Sequence, residues 1–149
     1  NYRSITLQIM KRYKIGYTTG TFDLFHIGHL NILKKSKEMC DFLIVGVSTD
    51  EVVQSYKHKV PVIPFKDRVE IIKSIRYVDQ VVPQLSMDKF QAWSELHFDV
   101  MFHGDDWKES SLYNEYESRL KEVGVEVVYI PHTEGVSSSM LTDEIKYGK

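Results

Sequence analysis

Short apolar runs alternate along the chain with stretches whose apolar residues recur at helical spacing. Residues 13–18 read as a first strand. Residues 28–39 read as a helix, with Leu30, Leu33 and the Ser36–Lys37 pair at helical intervals. The run Phe-Leu-Ile-Val-Gly-Val, residues 42–47, is nearly all apolar and suits a parallel strand buried on both faces. Ser48-Thr-Asp-Glu51 resembles a capping box that opens a helix. Residues 56–65 break the rhythm with Lys57, His58, Lys59, Pro61 and Pro64 and read as a loop. Further on, helices are predicted over 66–76, 87–96, 112–123 and 138–145, and strands over 80–82, 99–103 and 125–130. Alternation of this kind implies a mostly parallel five-stranded sheet with helices on both faces. Ligands of such sheets sit beyond the carboxyl ends of the strands, so the places to search follow Thr18, Val47, Phe102 and Ile130.

A length of 149 residues suits one domain, and 42% hydrophobic with 27% charged residues permits an ordinary core. Residues 1–12 read as an N-terminal extension, disordered or left over from cloning, ahead of a domain spanning 13–149. The net charge of −2 lacks the basic surplus of a duplex nucleic-acid binder. A single cysteine, Cys40, allows no internal disulfide and fits a reducing cytoplasm. No apolar run approaches the roughly 20 residues of a membrane span.

The loop after the first strand reads Thr19-Gly-Thr-Phe-Asp-Leu-Phe-His-Ile-Gly-His29. Gly20 can turn the chain and let a ligand approach the backbone. Thr21 adds a hydroxyl, and the helix N-terminus that follows favours phosphate. His26 and His29 share one side of the first helical turn, with Gly28 leaving room between them. Two imidazoles there can hydrogen-bond phosphate oxygens and stabilise charge in a transition state. The plainer alternative has His26 capping the helix and His29 packing. A zinc site would need three or four ligands. Neither a GxGxxG fingerprint nor a Walker A lysine is present, which disfavours a nicotinamide dehydrogenase or a P-loop enzyme.

Three other segments carry candidate chemistry. Lys57 and Lys59 form a basic loop that is either phosphate-binding or merely solvated. Gly104-Asp-Asp-Trp107 offers Asp105 and Asp106 as acceptors for an amino group, or is an Asx-type turn. His132-Thr-Glu-Gly-Val-Ser-Ser-Ser139 follows the last strand. Its serines either grip phosphate or simply cap a helix.

Gly20-Thr-Phe-Asp-Leu-Phe-His-Ile-Gly-His29 resembles the G-x-F-D-x-x-H-x-G-H signature of the HxGH nucleotidylyltransferase superfamily. Over 13–145 the chain is similar to its cytidylyltransferases, and to the bacterial glycerol-3-phosphate cytidylyltransferases most closely. The resemblance implies a single Rossmann-like α/β domain that transfers CMP from CTP to a phosphorylated alcohol. It assigns Gly20, Thr21, Phe22, His26, Gly28, His29, Lys59, Asp105 and Asp106 to the nucleotide. It adds the segment His132, Thr133, Glu134, Gly135, Val136, Ser137, Ser138 and Ser139, which matches Arg-Thr-Glu-Gly-Ile-Ser-Thr-Thr with histidine in place of a permanently charged arginine. His26, His29 and Lys59 take the catalytic roles, and Lys57, Arg68 and Lys89 face the acceptor. Ser74-Ile-Arg-Tyr-Val-Asp79 resembles a dimer-interface segment, which places Arg76 and Asp79 there and implies a homodimer.

The resemblance also implies Mg2+ carried with CTP, and a CDP-glycerol product destined for teichoic acid or related surface polymers. The acceptor phosphate is largely ionised at neutral pH, so in-line attack on the α-phosphorus needs no general base. Alternatives are phosphoethanolamine or phosphocholine as acceptor, adenylyl transfer to a sugar phosphate, a non-catalytic nucleotide-binding module, and a flavodoxin-type redox domain.

Overall fold

The computed structural model describes residues 13–104 and 111–133, which form five strands and five helices. In chain order these are β1 (Tyr13–Gly20), α1 (Ile27–Glu38), β2 (Cys40–Ser48), α2 (Asp50–Lys57), α3 (Phe65–Lys73), β3 (Gln80–Gln84), α4 (Lys89–Leu96), β4 (Val100–Gly104), α5 (Ser111–Glu122) and β5 (Glu126–Ile130). Residues 1–12, Asp105 and Asp106, Glu134 to Ser139 and the helix expected over 138–145 lie outside the described residues.

The strands pair in the order β3-β2-β1-β4-β5, every pair parallel. The chain winds outward from β1 to β3, then crosses back to β4 on the other side of β1. That reversal opens a crevice between the carboxyl ends of β1 and β4. Side-chain alternation along β2 fills both faces of the sheet. Leu43, Val45 and Val47 pack with Leu33 of α1, Ile72 of α3 and Phe102. Ile44 faces the opposite way and joins Tyr17, Phe98, Met101 and Leu120, with Phe90, Trp93 and Leu96 of α4 against them. The apolar run of 42–47 is therefore a central strand covered on both sides, as its composition predicts.

Two glycines set the close packing. A Cβ on Gly16 would lie 2.7 Å from the Phe102 ring and 2.8 Å from Cys40 Sγ. A Cβ on Gly46 would lie 2.5 Å from the Tyr17 hydroxyl, so Tyr17 crosses β2 only because no side chain stands there.

The strands run past the apolar stretches that foretold them. β1 continues through Thr19 and Gly20, paired with Gly46 and Val47. β3 continues through Pro83 and Gln84, where a proline is tolerated because β3 is an edge strand. The cap of α2 is Thr49, whose side chain accepts from Val52 N, rather than Ser48. Ser48 is still in the strand and donates to Gln84 Oε1 at 2.6 Å. The helix expected over 66–76 stops at Lys73.

Candidate active site

The carboxyl ends of β1 to β4 surround a cleft of about 250 Å3. Gly20, Thr21, Phe22, His29, Lys57, Lys59 and Lys89 of the expected site line it.

α1 opens with a reciprocal cap made by its two histidines. His26 is the N-cap, and its Nδ1 accepts from Gly28 N at 3.0 Å. His29 Nδ1 accepts in turn from His26 N at 3.2 Å. The rings stack with centroids 4.0 Å apart. Capping and function are therefore compatible. Because each Nδ1 accepts a main-chain N–H, the proton of each neutral ring sits on Nε2. Burial, with the neighbouring His26 next in weight, pushes His29 down to about 3, and burial also lowers His26. Both rings are neutral Nε2–H donors at physiological pH. His29 lines the cleft, and the His26 ring is stacked against that of His29.

The turn between β1 and α1 is not made by Gly20, which ends the strand. Phe22 and Leu24 take the left-handed conformation, at φ 55° and 48°. Such values are costly for bulky residues and concentrate at functional sites. Gly20 serves instead by lacking a Cβ, which would stand 3.1 Å from the Phe22 ring. Phe22 is buried, and its ring meets His29 edge-on at 5.5 Å.

Asp23 belongs to the site as well, though its spacing in the sequence does not single it out. Its carboxylate accepts from Val62 N at 2.8 Å and Ile63 N at 2.9 Å, and from its neighbour Leu24 N at 3.1 Å. The turn after β1 is thereby tied to the loop 58–64. That loop carries Lys59, and Lys57 ends the helix before it. Tyr56 adds a second tie, its hydroxyl 3.2 Å from Thr21 Oγ1.

Arg68 corrects an expectation. It is fully buried and does not line the cleft, so it is not placed to face an acceptor. Its Nε donates to Ile63 O, its Nη1 to Thr21 O and Ser48 O, and its Nη2 to Asp50 Oδ1. One guanidinium thus fastens the ends of β1 and β2 to the basic loop from behind. The planar fork of arginine suits this task, and lysine could not replace it.

Lys89, the first residue of α4, reaches the cleft from the face opposite α1. It is 2% exposed, and its Nζ donates to Thr19 Oγ1 at 3.0 Å. Burial lowers it to about 7. His103 on β4, buried beside it, is pushed down to about 3 by burial and by Lys89. Three lysines face the cleft, and among the described residues the one carboxylate that lines it, Asp23, is taken up by main-chain N–H groups. With Lys57 and Lys59 against Asp23, the described lining is net positive in a chain of net charge −2.

Other expected residues lie apart from the cleft. Gly28 is buried in α1 and gives its N–H to His26. Thr133 Oγ1 accepts from Asn31 Nδ2 at 2.9 Å, which brings the segment after β5 against α1, two residues beyond His29. His132 is exposed just before it. Arg76 and Asp79 sit at the amino edge of the sheet, away from the cleft. Asp79 accepts from Lys37 Nζ at 2.6 Å and Leu43 N at 2.8 Å, and Arg76 stacks on its neighbour Tyr77.

A parallel sheet with a switch-point cleft, imidazole N–H donors at a helix start and three lysines defines an α/β domain built to handle phosphorylated substrates. The chain belongs to the cytidylyltransferase-like family, whose model matches residues 17–144. It is 39% identical over 129 residues to the glycerol-3-phosphate cytidylyltransferase of Bacillus subtilis (strain 168), covering 86% of this chain and 94% of that one. It is also 39% identical over 119 residues to the FAD synthase of Pyrococcus horikoshii, covering 76% of this chain and 77% of that one. Among solved structures, the lipopolysaccharide core biosynthesis protein of Thermoplasma volcanium superposes with a TM-score of 0.71 at 26% identity. That match covers 82% of this chain and 99% of that one.

Proposed function

We propose that the protein transfers CMP from CTP to glycerol 3-phosphate, giving CDP-glycerol and pyrophosphate. The observation that carries this is the reciprocal His26–His29 cap beside a lysine-lined cleft, in a chain aligned along nearly the whole of a glycerol-3-phosphate cytidylyltransferase. An oxygen of the acceptor phosphate attacks the α-phosphorus in line, and the bond to the pyrophosphate oxygen breaks. The nucleophile is already an anion, so the protein's task is to position two polyanions and offset their repulsion. His26 and His29 donate from Nε2 to the triphosphate and the charge that grows on it. Lys59 holds CTP with Asp105, Asp106 and the 132–139 segment, and Lys57 and Lys89 hold the acceptor.

Mg2+ would be carried on the phosphate oxygens of CTP, where it would offset part of their charge. Hard phosphate oxygens suit it, and among the described residues the carboxylate that lines the cleft, Asp23, is already bonded to the main chain. A homodimer and a cytoplasmic location belong to the same proposal, as does supply of CDP-glycerol to surface polymers such as teichoic acid. In the dimer Arg76, exposed, is the interface contact, while Asp79 is occupied within its own chain. No helix among the described residues is long and apolar enough to cross a membrane.

The second reading is adenylyl transfer, favoured by the equal identity to an FAD synthase over a shorter stretch. Pyrophosphate release distinguishes them, with CTP or ATP each paired with glycerol 3-phosphate, phosphoethanolamine, phosphocholine or FMN. Release with CTP and glycerol 3-phosphate alone supports the proposal. Release with ATP alone transfers the chain to the second reading.

A further inference from the structure

The reaction brings a phosphate dianion into a cleft that already holds a triphosphate, and one buried side chain stands ready to change its charge. Lys89 Nζ has a single hydrogen-bond partner among the described residues, the neutral Thr19 hydroxyl, and is 2% exposed. A buried ammonium without a counter-charge is unstable and tends to shed its proton. The position of Lys89 at the first residue of α4 adds to this, because the positive end of the helix dipole repels a cation.

Among the described residues no carboxylate forms an ion pair or hydrogen bond with it. His103 on β4 is buried and neutral, and Tyr17 on β1 is kept protonated by burial. At the start of α4, the Asp88 carboxylate caps Phe90 N and Gln91 N. From α5, Arg119 lies over Phe90 and Tyr116 lies toward Asp88. Elsewhere in the cleft, Asp23 is held by Val62 and Ile63, and His29, Lys57 and Lys59 contribute no negative charge.

α1 approaches the cleft from one face of the sheet and α4 from the other. In-line attack requires the incoming oxygen to arrive opposite the leaving pyrophosphate. With the triphosphate on the histidines of α1, the acceptor phosphate comes in on the α4 side.

We propose that Lys89 waits in the free enzyme as a neutral amine and becomes an ammonium only when the acceptor phosphate binds, so that the acceptor enters together with one proton. This rests on the acceptor placement given under the proposed function. When the acceptor arrives as a dianion, the proton comes from solvent. When it arrives as a monoanion, its P–OH proton passes to the Lys89 Nζ lone pair, leaving P–O− as the nucleophile beside N–H+. Either route gives the same ion pair. Lys89 then both binds the acceptor and sets its reactive ionisation state.

The test is calorimetric titration of glycerol 3-phosphate into the enzyme, with Mg2+ and a non-hydrolysable CTP analogue present. It is run at pH 8 in buffers of different ionisation enthalpy, alongside pyrophosphate release with CTP. At pH 8 the free acceptor is a dianion and the histidines are neutral, so proton uptake reports Lys89. The expected uptake is close to one proton, from a lysine near 7 in the free enzyme. It should disappear in Lys89→Arg, which carries permanent charge, and in Lys89→Met, whose acceptor KM should also rise ~10-fold or more with CTP affinity retained. Normal turnover with no proton uptake, or with uptake unchanged in either variant, overturns the proton linkage while leaving the transferase reading intact. No turnover and no acceptor binding by the unaltered enzyme overturns both.

Discussion

His29 accepts the main-chain N–H of His26 on its Nδ1 while His26 accepts that of Gly28, so the cap of α1 also fixes which nitrogen of each ring faces outward. One bond thus serves stability and chemistry, and suitable substitutions separate the two. In His29→Asn the side-chain oxygen still reaches His26 N, but the Nε2 donor is gone. Folding stability should stay within about 1 kcal/mol of the parent, as for an exchange of good caps. The catalytic rate should fall ~10²–10³-fold, as on loss of one transition-state donor. Thermal melts beside initial rates check both.

Asp23 holds the turn after β1 against the loop 58–64 through Val62 N and Ile63 N. Asp23→Ala leaves those N–H groups unpaired and frees the loop that carries Lys59. About 1–3 kcal/mol of stability should be lost. KM for both substrates should rise more than kcat falls, because the lysines lose their position and not their chemistry. Urea unfolding and substrate-saturation curves measure the two effects.

Arg68→Met should be the most destabilising of these changes. It leaves Asp50 without its charged partner and removes the guanidinium's hydrogen bonds to three main-chain carbonyls. Removal of one partner from a buried charged network costs about 3–5 kcal/mol. For a chain of this size that corresponds to a fall in Tm of roughly 10 °C or more. Asp50→Asn should cost less, since Asp50 is partly exposed.

Much of this organisation is legible in the sequence. The apolar run at 42–47 announces a two-sided central strand, and the motif of 19–29 announces the cleft. The sequence does not show which residues of one motif touch substrate and which hold the frame. Asp23 and Arg68 act through main-chain atoms far along the chain, Ile63, Thr21 and Ser48 among them, and no local spacing encodes such bonds. Lys89 appears among the polar residues of an amphipathic helix, yet the crossing of α4 from β3 to β4 buries it beside Thr19 and His103. The cap shifted from Ser48 to Thr49 because Gln84, on a strand paired only in the fold, draws Ser48 into the sheet.

Stability should depend on pH in one direction across a wide range. His29 and His103 are both pushed down to about 3, below their ordinary value of 6.5. The unfolded chain therefore binds the extra protons, and stability is lost as pH falls below about 6.5, by up to about 1.4 kcal/mol per pH unit per group. Lys89, lowered to about 7 from 10.5, acts in the same sense at higher pH, so stability rises from neutral pH toward about 10. Urea midpoints at pH 5, 7 and 9 should increase in that order. His103→Asn should flatten the acid limb, and Lys89→Met the alkaline one.

The most direct measurement follows the oxygens. Glycerol 3-phosphate carrying 18O at its three non-bridging positions is incubated with CTP, Mg2+ and enzyme, and the products are analysed by mass spectrometry. In-line attack by the acceptor phosphate on the α-phosphorus predicts CDP-glycerol that retains all three labels, and unlabelled pyrophosphate. Unlabelled CMP with no joined product, or label in the pyrophosphate, would contradict the account.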